Sequence, residues 1–438
     1  MKKNIVIAVL ILAFLLTWGY LLWNNNRQEQ VQQSQQTQIA KVTDEKGGLQ
    51  KNFDDALVRL DTLTGLNNKL QRQLNDANLD IAKKKAEIRS ILGKKNATSA
   101  QYRSVVTPNA MKIPVYYGTD RRSTGSMDPY EHFGGTIDIG KHYQTGVVEV
   151  SIPIRKHKIG NMELPAWYNF LADKRDTSKY FVITGLHIMD YATFYSNLKR
   201  AVDESDDKDL FIFIHGFKNS FAEAAERTAQ LTYDLGFTGV PILYSWSSGG
   251  TLAKYVGDGE NVRATVGTLK QFLLDIIDRT HAKKINLIAH SMGTRAITDV
   301  LKDITLEKGT VFNEVILAAA DIFADDFRTN TAPNIISKCH RIILYASSGD
   351  KALKSSEQLN SGHTRVGEGG ANIFTMAGME TVDASDLQCP DFFDHSYFLE
   401  SRPLIDDIRQ LFYFDAKPEA RNLIPVHVGT NSYWSFKK

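Results

Sequence analysis

Between residues 210 and 346, short apolar runs recur, each the length of one strand and most followed by a stretch with helical periodicity. FIFI, INLIA and RIILYA are almost continuously apolar rather than alternating, which suits strands buried on both faces of a parallel sheet. The predicted order is a strand Leu210–Ile214, a helix from Phe221, a strand Pro241–Trp246, a helix Val262–Asp278, a strand Ile285–His290 and a helix from Met292. Further strands are expected at Glu314–Ala319, Arg341–Ala346 and Asn372–Met376, and earlier ones at Val115–Tyr117, Val147–Pro153 and Tyr180–Met189. This alternation predicts an α/β layered domain over residues 110–438.

Upstream the texture differs. Lys2 and Lys3 precede an apolar run from Ile5 to Trp23, about the 20 residues that cross a bilayer. The run is long for a signal-peptide core and ends in Leu22, Trp23 and three asparagines without a small-x-small site. Residues 1–26 are therefore expected to be a cytoplasmic tip and an uncleaved anchor. In a bacterium this makes a single-pass inner-membrane protein with its catalytic domain in the periplasm. Residues 27–48, rich in Gln, read as a polar stalk.

Residues 49–92 read as a coiled coil. Phe53, Leu60, Asn67, Leu74, Ile81 and Ile88 recur every seven residues, and Ala56, Leu63, Leu70, Ala77 and Ile91 fill the companion position, interrupted by Lys84. The seam predicts a homo-oligomer, the alternative being an amphipathic helix folded back on the domain. Residues 93–109 are expected to be a linker. The net charge of +2, with 42% hydrophobic and 23% charged residues, excludes a chain disordered throughout and a large basic nucleic-acid surface. Cys339 and Cys389 give no metal-site spacing and are expected to stay unpaired.

The most specific chemical signal is Ala289-His290-Ser291-Met292-Gly293, where a buried strand passes directly into a helix. A serine on such a turn is a nucleophile elbow, and the turn crowds the residues two before and two after, which must be small. A helix-capping serine is the structural alternative. A hydroxyl needs a base, and the base needs an acid to orient it. In chain order Ser, acid, His, the acid is Asp350, after the strand RIILYASS, with Asp321 as competitor. The base is His395, in a polar loop before the final helical pattern near Pro403; His363 comes too early and His427 lies in the tail. The oxyanion hole is assigned to the backbone N–H groups of Met292 and Phe217, with Gly216 close behind. His215 and His290 are expected to pack around the site rather than catalyse.

HGFKNSF, LYSWSSGG with Tyr255 beyond it, LIAHSMGTR, LYASSGDKAL and DHSYF together resemble a bacterial α/β-hydrolase family of unassigned biochemical function. The resemblance runs from about Val115, including Gly118-Thr119-Asp120-Arg121 and Val150-Ser151-Ile152-Pro153, to about Phe398. It implies an α/β-hydrolase fold, a mostly parallel central sheet flanked by helices, with Ser291, Asp350 and His395 as the triad; it supplies no substrate. Trp246, Ser247 and Tyr255 are candidates for lining a pocket, and Arg365 and Gly367 for positioning a loop beside the acid, each with packing as the alternative. The expected activity is that of a carboxylesterase or lipase-like serine hydrolase, working through an acyl-enzyme on a small-molecule or lipid ester, without metal or organic cofactor. A noncatalytic envelope scaffold on the same fold is the alternative, and a peptidase is a third reading.

Overall fold

The computed structural model describes residues 104–438 apart from 139–141, 166–174, 250–254, 307–311, 360–361, 388–396, 430 and 438, together with Tyr102 and scattered positions between 15 and 73. Two compact units are distinguished, Met1–Asp76 and Ala77–Lys438. In the first, residues 15–21 and 23–27 are helical and expose Leu16, Trp18, Tyr20, Leu21 and Trp23. No helix among the described residues is long and apolar enough to cross a membrane; most of the expected span, residues 5–14, lies outside them. The described positions 51, 55, 59, 62, 66, 69 and 73 are helical and exposed. The predicted seam residues, from Phe53 to Ile91, lie outside the described set.

The second unit carries the α/β layers. Its elements run β1 (Val105–Val106), β2 (Met111–Thr119), β3 (Arg121–Ser123), β4 (Phe133–Ile137), β5 (Gln144–Ile152), β6 (Val182–Met189) and α1 (Tyr191–Glu204). Next come β7 (Asp209–Ile214), α2 (Phe221–Asp234), β8 (Val240–Ser245), α3 (Tyr255–Ala264), α4 (Val266–Thr280), β9 (Lys284–His290) and α5 (Gly293–Asp303). The chain continues through β10 (Phe312–Ala318), β11 (Cys339–Ala346), α6 (Lys351–Leu359), β12 (Glu380–Asp383), α7 (Arg402–Phe414), β13 (Leu423–Val428) and β14 (Asn431–Phe436).

Strand order in the main sheet is β13-β14-β12-β11-β10-β9-β7-β8-β2-β5-β6, with β1 also on β2. From β14 to β2 every pairing is parallel; β5 and β6 at one end and β13 at the other are antiparallel. The parallel strands β7, β8 and β9 are buried almost throughout, as the unbroken apolar runs require. One apolar cluster lies under α2 and α7, and the other lies under α1, α4 and α5. The sheet is thus covered on both faces.

One expected strand is corrected. Asn372–Met376 forms no strand: a short 3-10 turn Gly370–Asn372 precedes it, and the pairing strand is β12. Its apolar residues are Ile373, Phe374 and Met376; Phe374 packs edge-on against Phe327 at 5.4 Å, and Gly378, at φ 86°, turns the chain into β12. The hairpin β13–β14 was not anticipated; it places His427 on an exposed edge strand with Nδ1 2.9 Å from the Ser432 hydroxyl, consistent with a structural role.

The segment before β6 is fastened to α2 through His157, whose Nε2 lies 2.6 Å from Asp234 and Nδ1 2.8 Å from Glu163. Burial disfavours the charged imidazolium, but the two carboxylates outweigh it and raise the His157 pKa to about 9. A raised folded-state pKa contributes stability that is complete below the unfolded value, about 6.5, and is lost as pH rises through about 9. Denaturant midpoints should therefore fall between about pH 6.5 and 9, and His157→Phe should flatten that part of the profile.

Candidate active site

Ser291 occupies the left-handed region at φ 52°, a conformation that strains any residue with a Cβ and persists only where neighbours enforce it. The neighbours are visible. The Ser291 N–H donates to Ala318 O at 2.9 Å, and its carbonyl accepts from Thr294 Oγ1 at 2.6 Å and Thr294 N at 3.0 Å. The strand end of β10 and the first turn of α5 therefore clamp the serine from both sides. A Cβ on Gly293 would lie 2.4 Å from His215 O and 2.9 Å from Ile214 O, so the small flank inferred from the sequence is a steric demand. Gly293→Ala should cost about 3 kcal/mol or more, read by denaturant unfolding.

The loop after β7 comes equally close. A Cβ on Gly216 would fall 2.9 Å from both Ser291 Cβ and His290 Nδ1, so only glycine allows this approach. Phe217 follows, its ring edge-to-face on Tyr255 at 5.1 Å. Among the described residues, neither the Phe217 N–H nor the Met292 N–H donates to an acceptor. Met292 stands at the N-terminus of α5, where unsatisfied amides and the helix dipole favour negative charge. His290 stacks on Phe398 at 6.1 Å.

Asp350 follows β11 and is 1% exposed; its Oδ1 accepts the Leu353 N–H at 2.9 Å, at the start of α6. His395 lies outside the described residues. The competing acid, Asp321, is fully engaged elsewhere. Its carboxylate accepts from Tyr255 Oη at 2.8 Å, Ser356 Oγ at 2.5 Å and Arg295 Nη2 at 2.7 Å, with Arg365 Nε at 3.5 Å. Burial would raise its pKa, but Arg295, Arg365 and the hydroxyl donors hold it below the ordinary carboxylate range. An anion locked between two guanidinium groups is a brace, and this cluster ties α3, α5 and α6 together.

Tyr255 and Arg365 therefore serve Asp321. Gly367 donates its N–H to Ala320 O at 2.9 Å and accepts from Ser347 N at 3.0 Å, so its segment wedges between the ends of β10 and β11, next to the Asp350 turn. Trp246 is wholly buried; its Nε1 donates to His215 O at 2.7 Å and its ring stacks on His215 at 5.2 Å. It packs against the His215 ring.

One residue to which the sequence reading gave no role holds several of these pieces. Arg121, 1% exposed, donates through Nε to Ser245 Oγ at 2.8 Å, through Nη1 to Gly134 O at 3.1 Å and Ser248 O at 3.2 Å, and through Nη2 to Asn219 O at 2.7 Å. Nη2 also lies 3.3 Å from His215 Nε2. Burial lowers its pKa to about 10, against the pull of Asp120, Asp258 and Glu223. The only signal in the sequence was a charged pair, Asp120-Arg121, directly after an apolar strand.

No curated protein matches the chain. Among solved structures, an esterase of Pyrococcus furiosus is similar at 15% identity and TM-score 0.25, covering 44% of this chain and 78% of that one. An Agrobacterium vitis protein described as a hydrolase is similar at 12% identity and TM-score 0.26, covering 59% and 92%. The family match begins at residue 191, so the early Gly118–Arg121 and Val150–Pro153 segments fall outside it. With its parallel sheet, flanking helices and strand-to-helix serine turn, and with residues 191–412 matched, the chain belongs to the family described as alpha/beta hydrolase of unknown function (DUF900).

Proposed function

We propose that this protein is a serine hydrolase acting on ester bonds, with Ser291 as nucleophile, His395 as general base, Asp350 orienting the base, and the Met292 and Phe217 amides as the oxyanion hole. The observation that carries the reading is the conjunction at Ser291: a strained φ of 52° beside two buried strand ends, with the unengaged N–H groups of Met292 and Phe217 at its flanks. Strain of that kind at a serine persists where a protein needs it, and it presents the hydroxyl at the helix N-terminus.

His395 takes the Ser291 proton as the oxygen attacks the ester carbonyl. The resulting oxyanion is held by the two amides, collapse expels the alcohol protonated by His395, and water repeats the sequence to release the acid. The saturation of Asp321 by Arg295 and Arg365 supports Asp350 over Asp321 as the acid. No metal or organic cofactor enters this scheme.

Residues 1–26 would anchor the enzyme in a bacterial inner membrane with the hydrolase domain in the periplasm, and residues 49–92 would join copies through the coiled coil. The anchor favours lipid or envelope-derived esters as substrates. Incubating the full chain in detergent with a fluorophosphonate probe and p-nitrophenyl esters of several chain lengths, beside Ser291→Ala, tests the chemistry. Labelling and turnover confined to the wild type support it. Folded wild type that neither labels nor turns over would leave the scaffold reading.

A further inference from the structure

We infer that Arg121 is a positioning residue that sets the oxyanion hole through His215, which it holds in a single tautomer; this rests on the hydrolase reading above.

The argument begins with donors and acceptors. A guanidinium only donates, so the Arg121 Nη2 at 3.3 Å makes His215 Nε2 an acceptor. Ser245 Oγ accepts from Arg121 Nε at 2.8 Å, which frees its hydroxyl proton for the same Nε2, 3.1 Å away. With Nε2 accepting, the imidazole proton sits on Nδ1, and Nδ1–H donates to Gly216 O at 2.8 Å. Burial, and after it the Arg121 charge, depress the His215 pKa to about 3, so the ring stays neutral.

The Gly216 carbonyl is thereby drawn onto His215, and Asn219 Nδ2 supports it at 3.2 Å. A peptide unit is planar and its N–H points opposite its C=O. Fixing the Gly216 carbonyl therefore turns the Phe217 N–H away from His215, on the loop whose Gly216 nearly touches Ser291. Arg121 also holds the far end of this loop through Asn219 O and the neighbouring loop through Ser248 O, while the Ser248 hydroxyl accepts the Lys218 N–H at 2.8 Å. Three carbonyls and one imidazole are thus locked by one buried fork, a geometry that a lysine ammonium cannot reproduce. The family match does not include residue 121.

The first test needs no activity. In full-length Ser291→Ala carrying 15N-histidine, with His215→Phe to assign the signal, His215 should read as neutral and protonated on Nδ1 from pH 5 to 8. A proton on Nε2, or titration within that range, overturns the inference. The second test reads kcat per fluorophosphonate-titrated site. Arg121→Lys and His215→Phe should each lower kcat roughly tenfold to a hundredfold with KM changed less than about threefold, the signature of an interaction made in the transition state. Because both act on one carbonyl, the double variant should lose no more than the worse single one. Losses that multiply, or a per-site kcat that stays at the wild-type value while only the melting temperature falls, would reduce Arg121 to a packing residue. Absence of labelling in wild type that still shows the Nδ1 tautomer would instead remove the hydrolase reading and leave the brace.

Discussion

Ser291→Ala is expected to abolish fluorophosphonate labelling and to lower ester turnover by on the order of 10⁴-fold or more, while the protein stays folded. Alanine keeps the Cβ and so inherits the positive φ that the turn imposes. Ser291→Gly should be equally inactive yet roughly 1 kcal/mol more stable than Ser291→Ala, because glycine enters the left-handed region without steric cost. Comparing the two inactive variants by denaturant unfolding separates the backbone strain from the chemistry. If the glycine variant is the less stable of the two, the strain assigned to the elbow does not exist.

The two aspartates should part company just as sharply. Asp350→Asn keeps an oxygen for the Leu353 N–H, so the fold should tolerate it. With the carboxylate gone, the base loses its orientation and its compensating charge, and kcat should fall by on the order of 10³–10⁴. Asp321→Asn should do the reverse. It removes the charge shared by Arg295 and Arg365, and breaking a buried ion pair in this way costs about 3–5 kcal/mol. Turnover per titrated site should change far less than stability. The opposite pattern would move the acid of the triad to Asp321.

The division between what could be read from the chain and what could not follows from the range of the forces involved. The elbow was legible because its requirements are local: five residues fix the small flanks, the strand before and the helix after, and the clash distances at Gly293 restate them in ångströms. The parallel core was legible because strands buried on both faces leave no room for polar alternation. The Arg121 brace was not, since its partners Gly134, His215, Asn219, Ser245 and Ser248 mostly contribute backbone oxygens, which every residue carries and no pattern marks. Ile373, Phe374 and Met376 misled for a related reason: a loop that packs apolar side chains on the core has the look of a strand. Asp321 was weighed as an acid on position alone, and only the convergence of two distant arginines identifies it as a brace.

The placement of β2 has a bearing on how the molecule comes to be assembled. This strand lies between β5, whose Gln144 stands opposite Thr119, and β8, whose residue Ile242 stands opposite Tyr116. The first pairing closes over a short span and can form early; the second must wait for a segment more than a hundred residues further on and bears a larger loop-closure entropy. Arg121 rides at the end of β2, and its Ser245 and Ser248 partners ride at the end of β8. The loop proposed to carry the oxyanion hole is therefore completed by contacts of long sequence separation, so recovery of labelling at Ser291 during refolding is expected to report arrival at the native state rather than collapse of the chain.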